Sequence, residues 1–173
     1  MKSKILLKSE GIKTMLLMLA FFMIQSCYSL KSAVIPPELN SFFVAEFDIR
    51  ASNALPTLPQ TFSDALRNKI LNESRLVQSD IDPDISFSGE IMTYRISSVA
   101  PERGATSAFN RLEIAVNVKL ENTKTEDQSW TKRFSFFENY DRNTNINDIQ
   151  DELIDTIVAQ LVEDIYNASF TSW

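Results

Sequence analysis

The sequence predicts an α+β domain, a two-layer sandwich in which a four-stranded, mostly antiparallel sheet carries two helices on one face. Three observations predict this fold class. Apolar and polar residues alternate along most of the segment from Asn110 to Asn122, as in a half-buried strand. Apolar residues of helical period follow both Leu58 and Asn147. The elements read in the order β-α-β-β-β-α along the chain.

The first strand and the first helix lie between residues 42 and 74. We expect a strand over 42–49 whose buried face carries Phe43, Ala45, Phe47 and Ile49. A helix follows from about Leu58 to Ser74. Thr57 and Gln60 have the spacing of a capping box, with proline in the first turn. The apolar stripe of this helix comprises Leu58, Phe62, Leu66 and Ile70.

Three further strands are expected. The first, 84–97, changes the phase of its alternation near Ile91 and Met92, which indicates a β-bulge. The second covers 110–122, and a polar turn over 122–128 leads into the third, which begins at Trp130 and ends near Tyr140. The buried face of the second comprises Leu112, Ile114, Val116, Val118 and Leu120.

The last element is a long helix that begins after Asn145 or Asn147, the latter with Gln150 as a reciprocal cap. Its polar face carries carboxylates and neither Lys nor Arg. Four of these carboxylates lie close enough together in the sequence to suggest a site for Ca²⁺ or Mg²⁺. Exposure to solvent and the favourable helix dipole explain their position without a metal ion, so we expect no metal site. The apolar stripe comprises Ile149, Leu153, Ile154, Ile157, Val158, Leu161, Val162 and Ile165, and the acidic face comprises Asp148, Asp151, Glu152, Asp155, Glu163 and Asp164.

The N-terminal segment has the composition of a signal peptide. Lysines dominate residues 1–13, and the apolar run 15–24 that follows is shorter than the roughly 20 residues that span a bilayer. The next residues, Ile24-Gln25-Ser26-Cys27, resemble the lipobox of bacterial lipoproteins. This resemblance implies cleavage before Cys27 and lipidation of its thiol. The alternative is an ordinary signal peptide with a free thiol, which leaves the position of the chain's single cysteine unexplained.

The predicted domain organisation follows from this segment. Residues 1–26 form the signal peptide that is removed, 27–40 a lipid-anchored tether containing Pro36-Pro37, and 41–173 a single α+β domain. Two or three acyl chains hold such a domain at a membrane far more firmly than one chain would.

The composition argues against several chemistries. The sequence has no His, one Cys and three Gly, which excludes a Ser-His-Asp triad, a His-ligated zinc site and glycine-rich nucleotide loops. The net charge of -6 disfavours nucleic-acid binding. We therefore expect a protein that is not an enzyme and has no cofactor.

An ordered set of segments resembles the LptE family of lipopolysaccharide-assembly lipoproteins. The set includes the lipobox, the proline tether and the helix start at Pro56-Thr57-Leu58. It continues with Asn110-Arg111-Leu112, which opens the clearest strand, and with the helix from Asp151 to Ile165.

The resemblance implies a location and a role. Members are lipoproteins of the Gram-negative outer membrane that face the periplasm, plug the β-barrel of LptD, help it to assemble and contact lipopolysaccharide. A stiff sheet-and-helix body suits a wide polar lumen. The expected partners are thus an LptD-type barrel, lipopolysaccharide and the outer membrane through Cys27.

Arginines near one end of the sheet are candidate contacts for lipopolysaccharide phosphates. Arg95, Arg103 and Arg111 lie in or beside the irregular connection 97–110, and a guanidinium matches phosphate with two parallel hydrogen bonds. The alternative is that each is merely solvated. For the second basic set, Lys119, Lys132 and Arg133, surface charge is the better interpretation, since consecutive strand residues face opposite sides.

Two other functions remain open. A lipid-binding lipoprotein that works without a barrel would need an enclosed apolar cavity of several hundred cubic ångströms. A carboxylate-based hydrolase would need two acidic side chains roughly 5 to 10 Å apart in a cleft. The sequence offers no particular acidic pair for it.

Overall fold

The structure, a computed structural model, describes residues 35–99 and 108–171, which belong to one compact unit. These residues form six strands and two helices, with a short 3₁₀ turn at Glu126–Gln128. The elements are β1 (Ser41–Val44), β2 (Asp48–Ile49), α1 (Leu58–Glu73), β3 (Val77–Gln78), β4 (Ile85–Val99), β5 (Phe109–Asn122), β6 (Trp130–Asp141) and α2 (Ile146–Phe170).

The strands form one mixed sheet in the order β3-β1-β4-β5-β6, with β2 also paired to β4. Strands β4, β5 and β6 are an antiparallel meander, whereas β1 runs parallel to β3 and β4, and β2 parallel to β4. The α+β class with two helices is confirmed, but the expected four strands are wrong: there are six. One expected strand is divided in two, and the two-residue β3 is too short to produce a periodic signal.

The division falls at residues 45–47, and it reverses the face assigned to the first strand. Phe42 and Val44 are buried, whereas Ile49 is 42% exposed. Phe47 is buried because its backbone leaves the strand: its N–H donates to Ser63 Oγ at 3.1 Å, and its ring packs edge-on against Phe62.

Helix α1 has the predicted bounds and the predicted buried stripe, with proline in its first turn. The predicted capping box is wrong. Thr57 adopts helical dihedrals (φ -82°, ψ -17°) and its side chain makes no capping hydrogen bond. A capping side chain needs extended backbone at that position.

The meander and the last helix match the sequence patterns closely. The β-bulge lies between Ile91 and Thr93, and the alternation of β5 buries all five predicted residues. Helix α2 begins after Asn145, whose side chain accepts from the N–H of Asn147 at 3.2 Å, so the first of the two predicted starts is confirmed.

Both helices add their apolar stripes to the core that the buried sheet face forms. Lys69 of α1 ties them together, since its ammonium contacts Glu73 at 2.6 Å and also pairs with Glu163 of α2. The Tyr166 hydroxyl donates to the Glu73 carbonyl at 2.7 Å. One member of the predicted acidic face, Glu163, is therefore paired.

The start of the described chain is attached to this body. Leu39 is fully buried, and the carbonyl of Pro36 accepts from Arg75 Nη2 at 2.6 Å. Asp84 accepts from the N–H groups of Asn40 and Ser41 at 2.8 and 3.1 Å. The predicted signal peptide and Cys27 lie outside the described residues.

Candidate functional site

The candidate site is the sheet face opposite the core, which we call the outer face. Side chains of β4, β5 and β6 that alternate with the buried ones form it. Most are polar or charged, and the antiparallel register places them in rows across the three strands. They include Ser88, Glu90, Arg95 and Ser97 of β4, Arg111, Glu113, Asn117 and Lys119 of β5, and Thr131, Arg133, Ser135, Phe137 and Asn139 of β6.

The structure brings two of the three candidate arginines to this face. Arg95 lies opposite Glu113, and Arg111 lies opposite Ser97 on one side and Asn139 on the other. Arg103 lies outside the described residues. The connection is shorter than expected because the strands continue to Val99 and from Phe109.

Arg111 is held in a fixed orientation. Its guanidinium carbon lies 3.7 Å from the centre of the Phe137 ring, and its Nε donates to Asn139 Oδ1 at 3.0 Å. Stacking on an aromatic face and one hydrogen bond restrict the rotation of a long side chain and so reduce the entropy lost on binding an anion. Neither Nη group of Arg111 has a partner within the described ranges, so both can donate to a ligand.

Arg95 differs, because it forms a salt bridge with Glu113 although its own side chain is 64% exposed. A third arginine, Arg133, also lies on the outer face, where its Nη2 donates to Thr93 Oγ1 at 3.1 Å. Arg111 and Arg133 are therefore the outer-face arginines that are oriented without being paired to a described carboxylate, and of these two Arg111 stacks on an aromatic ring.

The second basic set is divided between environments. Lys119 pairs with Glu121 at 2.6 Å, and Lys132 lies 5.0 Å from the centre of the Trp130 ring. Lys132 and Arg133 face opposite sides of β6, as the sequence predicts.

The residues that orient Arg111 were not found by sequence reasoning. Phe137 follows another phenylalanine and is 43% exposed. Nothing in the sequence of the strand indicates that this phenylalanine contacts an arginine. The register between β5 and β6 sets Arg111 opposite Asn139. Without this register, the sequence does not show that Phe137 and Asn139 contact Arg111.

The main clefts described at the surface are open, and their linings are mixed polar and apolar. One of about 970 Å³ adjoins Asp82, Lys119, Asn122 and Lys124, and one of about 510 Å³ adjoins Glu46, Glu90 and Lys119. Lys124 is engaged by Asp84 at 3.0 Å. The hydrogen bond from Asn40 N–H and, to a smaller extent, the contact with Lys124 lower the pKa of Asp84 to about 2.

In residues 35–99 and 108–171, no three His, Cys, Asp or Glu side chains are grouped so as to hold a metal ion. Within the same ranges, neither helix has the length and apolar content that crossing a bilayer requires.

Two solved proteins share the fold, and a third is a weaker match. The hypothetical protein CT253 from Chlamydia trachomatis matches with a TM-score of 0.53 at 7% identity, over 76% of this chain and 98% of that one. Protein XCC0632 from Xanthomonas campestris gives 0.53 at 8% identity, over 75% and 86%. The rare lipoprotein B from Shewanella oneidensis gives 0.44 at 12% identity, over 73% and 92%. No curated protein matches the sequence significantly.

The fold and the outer face thus define a small α+β protein with a mixed sheet backed by two helices. The model of the LptE family, described as lipopolysaccharide-assembly, matches residues 39–169. The chain belongs to the LptE family. It is therefore a lipopolysaccharide-assembly lipoprotein that associates with membranes and has no catalytic role.

Proposed function

We propose that this lipoprotein is anchored in the outer membrane through Cys27, faces the periplasm, plugs and helps to assemble an LptD-type β-barrel, and assists delivery of lipopolysaccharide. Membership of the LptE family supports the role, and the lipobox supports the anchor. The chain from Cys27 to Ile35 reaches at most about 28 Å, so the domain stays close to the bilayer.

The observation that carries the proposal is the construction of the outer face. Three long strands present a polar surface whose charges are held by contacts such as Arg95–Glu113 and Arg133–Thr93. A plug inside a polar lumen needs side chains that are already oriented toward the wall, because ordering them on binding costs entropy.

Within this face we assign the first lipopolysaccharide contact to Arg111. Its free Nη groups can donate two parallel hydrogen bonds to a phosphate. Arg95 is a secondary contact, since a phosphate must compete there with Glu113. Arg103 remains a candidate from sequence.

Co-purification tests the proposal. The full chain, affinity-tagged at its C-terminus, is isolated from detergent-solubilised membranes, and bound proteins are identified by mass spectrometry. We expect a large outer-membrane β-barrel in the complex and fatty acids on Cys27 of the lipoprotein.

The matched control is Cys27→Ser, which removes the acylated thiol. We expect it to lose the lipid mass and most of the bound barrel. A wild-type chain with an unmodified thiol contradicts the anchor. A monomeric pool that does not change when the barrel is depleted contradicts the plug.

A further inference from the structure

The β3 edge of the sheet carries the two most exposed large apolar side chains of the described residues. Val77 is 67% exposed within the strand, and Ile81, four residues further along the chain, is 81% exposed. Exposed apolar side chains are ordinary when they are scattered singly. These two share one edge of the molecule, because β3 pairs only with β1 among the described strands and Ile81 follows it directly.

Backbone contacts hold both residues in place. The N–H of Val77 donates to the Asn40 carbonyl at 2.9 Å, and the N–H of Ser79 donates to the Phe42 carbonyl at 2.9 Å. The Ser79 hydroxyl accepts from the N–H of Ile81 at 3.3 Å and donates to the Ile81 carbonyl at 2.8 Å. A hydrogen-bonded turn therefore presents Ile81, so burying its side chain against a partner costs little backbone entropy.

The same edge lies where the tether joins the domain. Arg75, just before β3, donates from Nη2 to the Pro36 carbonyl at 2.6 Å, and Val77 lies opposite Ser41. The chain over 27–35 reaches at most about 28 Å, so an anchored domain keeps this edge close to the membrane. Contact over such a short tether is intramolecular, with an effective concentration of about millimolar, and a contact that is weak in free solution becomes populated.

The charges around this edge suit a zwitterionic headgroup. Arg75 has no carboxylate partner within the described ranges, and Asp80 and Asp82 are exposed on either side of Ile81. A lipid phosphodiester can accept from the guanidinium, and a lipid ammonium can donate to the carboxylates. The net charge of -6 gives the chain no general attraction to an anionic surface.

We propose that, while no barrel is bound, the β3 edge rests on the membrane that holds the acyl anchor, with Val77 and Ile81 at the boundary between headgroups and acyl chains. Burial of these two side chains removes apolar surface from water and favours the contact. At headgroup depth, water still reaches the free backbone groups of the two-residue strand. Strands β4, β5 and β6 lie beyond β1 from this edge, which leaves the outer face free for a barrel. The inference rests on the acyl anchor of the proposed function and adds the orientation of the anchored domain.

An environment-sensitive dye tests the contact. The full lipidated chain with Ile81→Cys is labelled with a nitrobenzoxadiazole dye and reconstituted into vesicles of phosphatidylethanolamine and phosphatidylcholine. Acylation blocks the Cys27 thiol, so the dye attaches at residue 81 alone. We expect its emission to shift to the blue on reconstitution. The matched control is Asn143→Cys, exposed in the turn after β6 at the opposite end of the sheet, and its dye should keep its aqueous emission.

Substitution of Val77 tests the apolar contribution in the labelled Ile81→Cys chain. Val77→Asp should lower the ratio of inserted to aqueous dye about tenfold, because it replaces a buried apolar side chain by a charge. Ile96→Asp is the matched control, since Ile96 is also exposed (45%) but lies toward the opposite end of the sheet, and the ratio should not change. Circular dichroism checks that both variants are folded.

Mass spectrometry separates a failure of this inference from a failure of the anchor. Lipid on Cys27 together with aqueous emission from residue 81 overturns the membrane contact and leaves the anchor intact. An unmodified Cys27 overturns both. Equal shifts from residues 81 and 143, equal effects of the two aspartate variants, or a shift confined to vesicles of anionic phosphatidylglycerol also overturns the contact.

Discussion

The guanidinium of Arg111 stacks on the ring of Phe137, with 3.7 Å between the guanidinium carbon and the ring centre. Asn139, two residues along the same strand, accepts from its Nε. The two contacts leave both Nη groups of Arg111 without a partner among the described residues. On the outer face, Arg111 is thus held in position without a described carboxylate to neutralise it, and Arg133 is likewise held by Thr93.

Arg111→Glu should weaken binding of purified lipopolysaccharide. A charged hydrogen bond contributes roughly 1.5–3 kcal/mol, which corresponds to a loss of about ten- to a hundredfold in affinity. Arg50→Glu is the control, because Arg50 already pairs with Glu90 at 2.8 Å. Titration by fluorescence polarisation measures both, and unchanged binding by Arg111→Glu rejects the contact. Barrel association should persist in either variant.

Gly89→Ala should destabilise the domain by about 1–3 kcal/mol. A Cβ at this position would lie 2.6 Å from Phe47 Cε1 and would overlap the carbonyl oxygen of Asn117, which is backbone and cannot move aside. Urea unfolding followed by circular dichroism gives the free energy of unfolding. Ser88→Ala, on the opposite face, should stay within about 0.5 kcal/mol of wild type; similar losses for both variants contradict this explanation.

Asp84 should make the stability of the domain depend on acid pH. The N–H of Asn40 and the ammonium of Lys124 lower its pKa from 3.8 to about 2. Because the folded state binds this proton more weakly than the unfolded state, the contribution is complete above about pH 4 and is lost as the pH falls toward 2.

Asp84→Asn tests this dependence. It should lose roughly 1.5–3 kcal/mol at neutral pH, and its unfolding free energy should fall less steeply between pH 4 and 2. Asp127→Asn, exposed in the 3₁₀ turn, serves as the control and should retain the wild-type profile. Parallel pH profiles for wild type and Asp84→Asn refute the assignment.

Lys69 should couple the two helices. Its hydrogen bond lowers the pKa of Glu163, although burial opposes the effect. In a double-mutant cycle with Lys69→Met and Glu163→Gln we expect a coupling of about 0.5–1 kcal/mol, because Glu163 is 44% exposed. The exposed pair Lys119 and Glu121 should give a coupling near zero, and equal couplings in the two cycles contradict the difference in environment.

Where periodicity was long, the sequence predicted the structure well. Fourteen residues of β5 and twenty-five of α2 each bury a repeating apolar set, so packing and pattern agree. The buried face of the first strand was predicted wrongly because Phe42 and Phe43 are both apolar. Burial of the even-numbered residues and burial of the odd-numbered residues therefore fit the pattern equally well, up to the interruption of the strand at 45–47. The sheet partner β3 was missed since two residues carry no period.

The sequence predicted which residue types form the candidate site, but it predicted their contacts only in part. Arginines near the end of β4 and the start of β5 were found, but the sequence did not distinguish Arg95, paired with Glu113, from Arg111, stacked on Phe137. That distinction depends on cross-strand register, which local sequence does not encode.

In-cell photo-crosslinking from the outer face tests the barrel proposal most directly. A photoreactive residue replaces Ser97, on the outer face beside Arg111, and in a matched variant it replaces Ala159, exposed on α2. The account predicts an adduct between the Ser97 variant and a large outer-membrane β-barrel, identified by mass spectrometry and lost when the barrel is depleted. Adducts from Ser97 that lack any barrel protein, in cells where the barrel is abundant, would contradict it.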